Sequence, residues 1–530
     1  MLWYSKASAN NKINTEFTML RILKIQKLSI LQKVLLFGLI MFGVTMLSSG
    51  KAHAATLNVA TGADETTTNS SCSLSEAIEN ISNQAQTHTD CLAGDGANDT
   101  ITIPAGTITL VGDLPTITES VTIQGAGMTT TIIDGNGGQY NGFSVGSAGT
   151  LDIDINNIQI TSFNNFAISI FNCNVTLSTI EIYGQNVNPA RGDSILITAT
   201  TSGNFNVELD NIYAHTINSS SGFSILRIEE QGNGGTIDSE LSNITLSDIH
   251  GTAIGDSVFG IIAVAFGGTL NTSISNVTVN DFTGTDNAVP FGSFGAASSS
   301  TAIVNTQVQN VTIIGLRGKT GTGGSAGVKS AAFYSASAAF QPGDQARSTV
   351  NVTNSLMADN INDSTSSNCT ALDMTGILGG TGTDSIAVIN SLGYNVSDDA
   401  SCTSFTETGD QQNISNILST IGPLQNNGGL VPTRALLAGS PAIASGGAVL
   451  GVSTDARGVA RDSTCPSVGA YEYENAVCGV ATSNPVSPTG GGSLADTGQG
   501  INSVSIALVF FASTTILIVA SNRDKLFIQN

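Results

Sequence analysis

The chain has 530 residues and a net charge of −22, with only 11% charged and 5% aromatic residues but 59 glycines. Nine of the 18 basic residues and 38 of the 40 acidic ones fall within 55–497, so that stretch carries −29 (9 − 38). A field of that sign repels nucleic acid and anionic lipid, and the turn-rich composition, with short apolar runs, argues for all-β structure and against a helix bundle or disorder.

The N-terminus reads as a secretory leader. Lys24, Lys27 and Lys33 precede an apolar stretch from Val34 to Leu47, and Ala52-His53-Ala54 supplies small residues for a signal peptidase, with cleavage between Ala54 and Ala55. Residues 1–54 are therefore read as a signal peptide, with Met19 a plausible alternative start. All seven cysteines lie beyond it, where disulfides persist. Proximity pairs Cys72 with Cys91, Cys369 with Cys402 and Cys465 with Cys478, although six cysteines allow fifteen arrangements. Cys173 is left over, and its parity with Val175 and Leu177 points it into a core.

Residues 55–105 read as an N-terminal cap. In Cys72-Ser73-Leu74-Ser75-Glu76-Ala77-Ile78, Ser73 and Glu76 make a capping box, and Leu74, Ala77 and Ile78 give a helix one apolar face. This helix, with Asn98-Asp99-Thr100-Ile101-Thr102-Ile103, Val121-Thr122-Ile123-Gln124-Gly125 and Thr131-Ile132-Ile133-Asp134-Gly135, resembles the CSLREA domain that opens bacterial surface β-helix proteins. Ser75 stands where that family has Arg, so any salt bridge made by the Arg is missing here.

Residues 106–475 read as a repeat. Leu151, Ile153 and Ile155 alternate, and after Asn156-Asn157 the apolar residues become Ile158 and Ile160, so the parity flips. The same flip occurs at Asn211, Asn243, Asn276 and Asn310, with Thr179 in the matching place, at steps of 22, 32, 32, 33 and 34 residues. A bend at each flip keeps both flanking strands facing one interior. The pattern predicts a right-handed parallel β-helix capped by the short N-terminal helix, with the corner asparagines stacked into a ladder of amide hydrogen bonds.

Candidate chemistry is sparse. Asp248 and Asp281 each lie five residues after a corner Asn, so stacking places them on neighbouring coils. Such a pair could bind Ca²⁺ or serve a retaining glycosidase, but turn formation is the plainer reading. His250 lies near Asp248, while His88 and His215 have no partner at metal-site spacing, and no catalytic motif is readable. Asp95, Asn98 and Asp99 read as a structural turn before a calcium loop. Arg191-Gly192-Asp193-Ser194 spells an integrin-recognition tetrapeptide in an expected loop, a match short enough to arise by chance.

Toward the C-terminus, Gly422-Pro423-Leu424-Gln425-Asn426-Asn427-Gly428-Gly429, Leu436-Leu437-Ala438-Gly439-Ser440-Pro441-Ala442-Ile443 and Asp455-Ala456-Arg457-Gly458-Val459-Ala460-Arg461 occur in order. Together with Val468-Gly469-Ala470-Tyr471-Glu472, they make 350–473 resemble the choice-of-anchor Q domain that closes such rods. Arg457, Arg461 and Asp455 are expected to form ion pairs fastening the last coil. A Pro/Gly/Ser linker, 476–493, follows. Its core, Gly479 to Ser493, can span only about 50 Å, which keeps the rod close to whatever holds its end.

Leu494-Ala495-Asp496-Thr497-Gly498, the uncharged apolar run 504–520, and Arg523 and Lys525 resemble the sorting signal of Gram-positive surface proteins, residues 494–530. That resemblance implies sortase and peptidoglycan as partners, with membrane contact only through 504–520 before sorting. The combined reading is a non-enzymatic, wall-anchored surface rod that binds a glycan or a host surface or serves a structural role, without a required cofactor. The alternative is a polysaccharide lyase or glycoside hydrolase, an analogy from fold alone. Against it, Arg191, Arg227, Arg317, Lys319 and Lys329 are the only basic side chains in 140–345, none beside an evident acidic cluster.

Overall fold

The computed structural model describes residues 54–478, apart from 97, 147–148, 164, 185, 188–191, 220–221, 253–256, 299 and 321–328. Within this unit the strands form a 21-stranded sheet, an eight-stranded sheet and a two-stranded one. Pairing in the two large sheets is parallel except at the short Ile361–Asn362 and Thr365–Ser366 contact. From Val121 onward the successive windings supply strands to both large sheets, as a parallel β-solenoid requires, while the opening strands Thr56–Asn58 to Gly106–Leu110 all join the larger one.

Register shows why the coils stack. Val175, Leu177, Ile180 and Ile182 lie over Ile153, Ile155, Ile158 and Ile160 on one side. On the other side Val175, Leu177 and Ile180 lie under Val207, Leu209 and Ile212. All of these side chains are buried, so each coil hides its apolar row only between its neighbours.

Every predicted parity flip is a left-handed backbone residue. Asn157, Thr179, Asn211, Asn243, Asn276 and Asn310 have φ of 58, 56, 56, 53, 55 and 54°. Asn tolerates this conformation because its short polar side chain bonds locally, whereas β-branched Thr179 is strained in it. A second column of corners follows five residues later: Ser162, Gly184, Thr216, Asp248, Asp281 and Gly315, with φ between 53 and 82°. Asp248 and Asp281 therefore do make turns.

The expected amide ladder is a correction. One link is present, Asn276 Nδ2 donating to Asn243 Oδ1 at 3.2 Å. Elsewhere stronger acceptors win. The Asp210 carboxylate receives Asn211 Nδ2 at 2.5 Å and Asn243 Nδ2 at 2.7 Å, because an ionised oxygen outcompetes an amide. The Asn310 amide is buried and makes no hydrogen bond within the described residues.

The N-terminal helix, α1, runs Leu74–Ser82 with the capping box formed by Ser73 and Glu76, and Leu74, Ala77, Ile78 and Ile81 are buried beneath it. The Ser75 N–H and hydroxyl both donate to Asp64, at 2.9 and 2.6 Å. Burial pushes the Asp64 carboxyl up against those bonds, which come from neutral donors alone. Disulfides join Cys72–Cys91, Cys369–Cys402 and Cys465–Cys478, as proximity indicates.

After Asp384–Ser391, which pairs in parallel with Gln345–Thr353, the chain adds one short parallel strand pairing, Val396–Ser397 on Leu356–Ala358, and a single parallel bridge between Val396 and Gln411. It then runs back along the flank as a strap. The carbonyl of Pro432 accepts from Thr245 Oγ1 (2.7 Å), the carbonyl of Thr454 from Asn276 Nδ2 (3.0 Å), and Ala470 N donates to Thr312 Oγ1 (3.0 Å). No helix among the described residues is long and apolar enough to cross a membrane, and the apolar run 504–520 lies outside them.

Candidate functional site

The segment between the two corner columns is short, and its outward side chains stack coil upon coil. Glu181 lies beside Tyr213, and Tyr183 beside His215, in register. His215 Nε2 meets Glu181 Oε1 at 2.9 Å, and Gln159 donates to the other Glu181 oxygen. The His215 ring stacks on Tyr213 at 4.2 Å and on Tyr183 at 5.5 Å. All three rings are half-buried, so a ring stack with polar edges reaches solvent. Glu181 and His215 are 34 residues apart, which hides the pairing from any local motif.

The next two coils carry the expected acidic pair. Ligand atoms of Asp248, His250 and Asp281 lie within 4.8 Å of one another. His250 Nε2 is 2.6 Å from Asp248 Oδ1, and its Nδ1 is 2.5 Å from Thr283 Oγ1. Burial alone would raise the Asp248 carboxyl. Hydrogen bonds from His250 and Thr216 and the charges of His250 and His215 hold it below its ordinary value instead. A carboxyl held ionised cannot act as general acid near neutral pH, so in a retaining glycosidase Asp248 could serve only as the nucleophile. The three donors could hold a divalent cation, although calcium prefers an all-oxygen shell and the imidazole suits zinc better. A second group, Asp462 with Cys465 and Cys478, offers no thiolate because those cysteines are joined.

The strap borders an open pocket of about 290 Å³, lined by Asn280, Asp281, Arg317, Asp359, Leu418 and Arg434 among others. Arg317 pairs with Asp359 at 2.6 Å. Arg434 reaches from the strap to donate to Asn280 Oδ1 at 3.0 Å and, through Nε, to the Gly422 carbonyl at 2.8 Å. Among the described residues it makes no ion pair within 4 Å, and burial pulls its pKa down against the attraction of Asp359. Two arginines thus stand beside two aspartates on this flank, contrary to the expectation that no basic residue adjoins an acidic cluster. Folding brings Arg434 there from 154 residues away.

Other expected sites resolve differently. Gly192–Ala199 is a strand, not a loop, and Asp193 Oδ1 accepts from Ser224 N–H at 3.1 Å. Burial raises the Asp193 carboxyl, and its bond to Ser224 ties it to the neighbouring coil, while Arg191 lies outside the described residues. Asp99 is wholly buried and structural. Arg457 and Arg461 do make ion pairs, with Asp455 at 2.7 Å and Glu472 at 3.4 Å; Arg457 binds within the strap, and Arg461 fastens the strap to the Asn276 corner and not to the last coil. Leu494, Ala495, Asp496, Thr497 and Gly498 lie outside the described residues.

Cys173 is buried, and burial pushes its thiol up to about 11. The folded chain at pH 8 should therefore resist a thiol reagent and react with one equivalent only after unfolding in denaturant. Rapid labelling of the native protein would contradict that placement.

No known family model, no curated protein and no solved structure matches this chain.

Proposed function

We propose that this protein is an exported surface solenoid, fastened to a Gram-positive-type cell wall by sortase, that binds an extracellular glycan along the flank running from Glu181 to Arg434. The observation that carries the reading is the stack of Tyr183, His215 and Tyr213 leading into Asp248, Asp281 and the strap pocket. Flat rings with polar edges suit the alternating apolar and hydroxylated faces of a sugar, and planar carboxylates, amides and guanidinia suit vicinal hydroxyls. Binding requires no cofactor. The leader and the sorting signal supply the location, and they rest on sequence resemblance.

A glycan array probed with the full chain tests this. Binding should fall about tenfold or more for Tyr213→Ala, which removes one end ring of the stack while sparing the buried rows. A full-length protein that binds no glycan, or a Tyr213→Ala variant that binds unchanged, would refute it. The second reading, a lyase or hydrolase, is favoured only by the closeness of Asp248 and Asp281. New reducing ends or unsaturated products that vanish in Asp281→Asn would establish it.

A further inference from the structure

Asp99 is fully buried at the start of the strand Asp99–Ile103. Its Oδ1 accepts the main-chain N–H of Ala55 at 2.8 Å, and its Oδ2 accepts that of Asp95 at 3.2 Å. Burial pushes this carboxyl up despite both bonds. No Lys or Arg occurs anywhere between Lys51 and Arg191, so the opening coils contain no fixed side-chain cation to compensate it. A buried carboxylate without a cation is costly, and a chain this acidic makes it more so.

Ala55 is held in place independently of that bond. Its carbonyl accepts from Thr100 N–H at 2.8 Å, its methyl packs on the core, and Thr56–Asn58 pairs in register with Thr100–Thr102. Ala54, one residue earlier, is exposed. The bond between them thus lies where the chain enters the fold, with the Ala55 nitrogen already aimed at Asp99.

We infer that Asp99 is a built binding site for a primary ammonium group, and that its ligand is the chain's own α-ammonium, created by cleavage between Ala54 and Ala55. The inference rests on the reading of the first 54 residues as a cleaved leader. Hydrolysis adds water across that bond. The carboxyl leaves with Ala54, and the freed amine of Ala55 takes up a proton, changing one amide donor into a charged group with three. The nitrogen need not move. A neutral hydrogen bond at 2.8 Å becomes a charge-assisted one, and the opening strand is locked onto the second coil. Removal of the leader would then act as a folding latch, as well as a release.

Two measurements test this on the exported chain. The mass of its N-terminal peptide shows whether Ala55 comes first. Acetic anhydride at pH 8 then reports the state of its amine, which has an ordinary pKa near 7.7–8.0. The latch predicts acetylation about fivefold or more slower than for a free α-amine, the loss of free base that a one-unit rise in pKa produces at pH 8. The acetylated chain should melt several degrees lower. In Asp99→Asn both effects should disappear, and should that variant fail to fold, the contrast between free and acetylated wild-type chains decides alone. An N-terminus other than Ala55 overturns both the cleavage reading and the latch. Ala55 first, with ordinary amine reactivity and an unchanged melting point, overturns the latch and leaves the export reading standing.

Discussion

Replacing Arg461 with Met is expected to cost about 3–5 kcal/mol of stability and to loosen the strap, because it leaves a buried carboxylate without its cation. The side chains of Arg461 and Glu472 are 3% and 4% exposed. Besides Glu472, the guanidinium donates to the carbonyls of Thr454, Ser467 and Gly469 and to Asn276 Oδ1. Burial pulls the Arg461 pKa down to about 10, so it stays charged at neutral pH and the pair persists. Glu472 is raised by burial, against the bond from Ser467 N–H and the attraction of Arg461. An acid raised by folding favours the folded state while protonated and loses that advantage as pH climbs above its unfolded value of 4.5. The Arg461→Met variant should therefore be more stable at pH 5 than at pH 8. Denaturant midpoints at both pH values, with protease cleavage within 426–473 as a local readout, would measure this. A loss under about 1 kcal/mol would mean that the pair does not fasten the strap.

Asn276→Val should cost about 3 kcal/mol, from two separable causes. A β-branched residue at φ 55° carries left-handed strain of about 1–2 kcal/mol. The lost hydrogen bond to charged Arg461 adds about 1.5–3 kcal/mol. Asn276→Gly separates them, since glycine accepts the corner and removes only the amide contacts. Combined with Arg461→Met, either variant should cost less than the sum of the singles, with a coupling of about 0.5–3 kcal/mol. Strict additivity would show that the corner and the strap are energetically independent.

The solenoid was legible because its signal is local. A parity change between Leu209 and Ile212 can be satisfied only if the backbone turns over at Asn211, and repetition at near-constant spacing converts local bends into stacked coils. The helix cap at Ser73 and the three disulfides were readable for the same reason, since each joins residues close in sequence. The amide ladder failed where competitors entered that no periodicity reveals. Asp210 precedes its corner and draws two amides, and the strap brings Arg461 onto Asn276 from 185 residues away. The acidic pair was visible as a register position, but its surroundings were not. Neither the Tyr183–His215–Tyr213 stack nor Arg434 carries a spacing that marks it, because the stack needs two neighbouring coils in register and Arg434 needs the return of the strap.

By itself the sequence determined the winding: apolar parity, left-handed corner residues and nearby cysteines act within a turn or two of chain and leave little alternative. Tertiary structure alone decided the flank, because which polar groups meet there depends on coil register and on a C-terminal segment folding back over the coils. Hydrogen bonds and ion pairs between residues more than a hundred positions apart form only once buried apolar rows have fixed the coils that carry them.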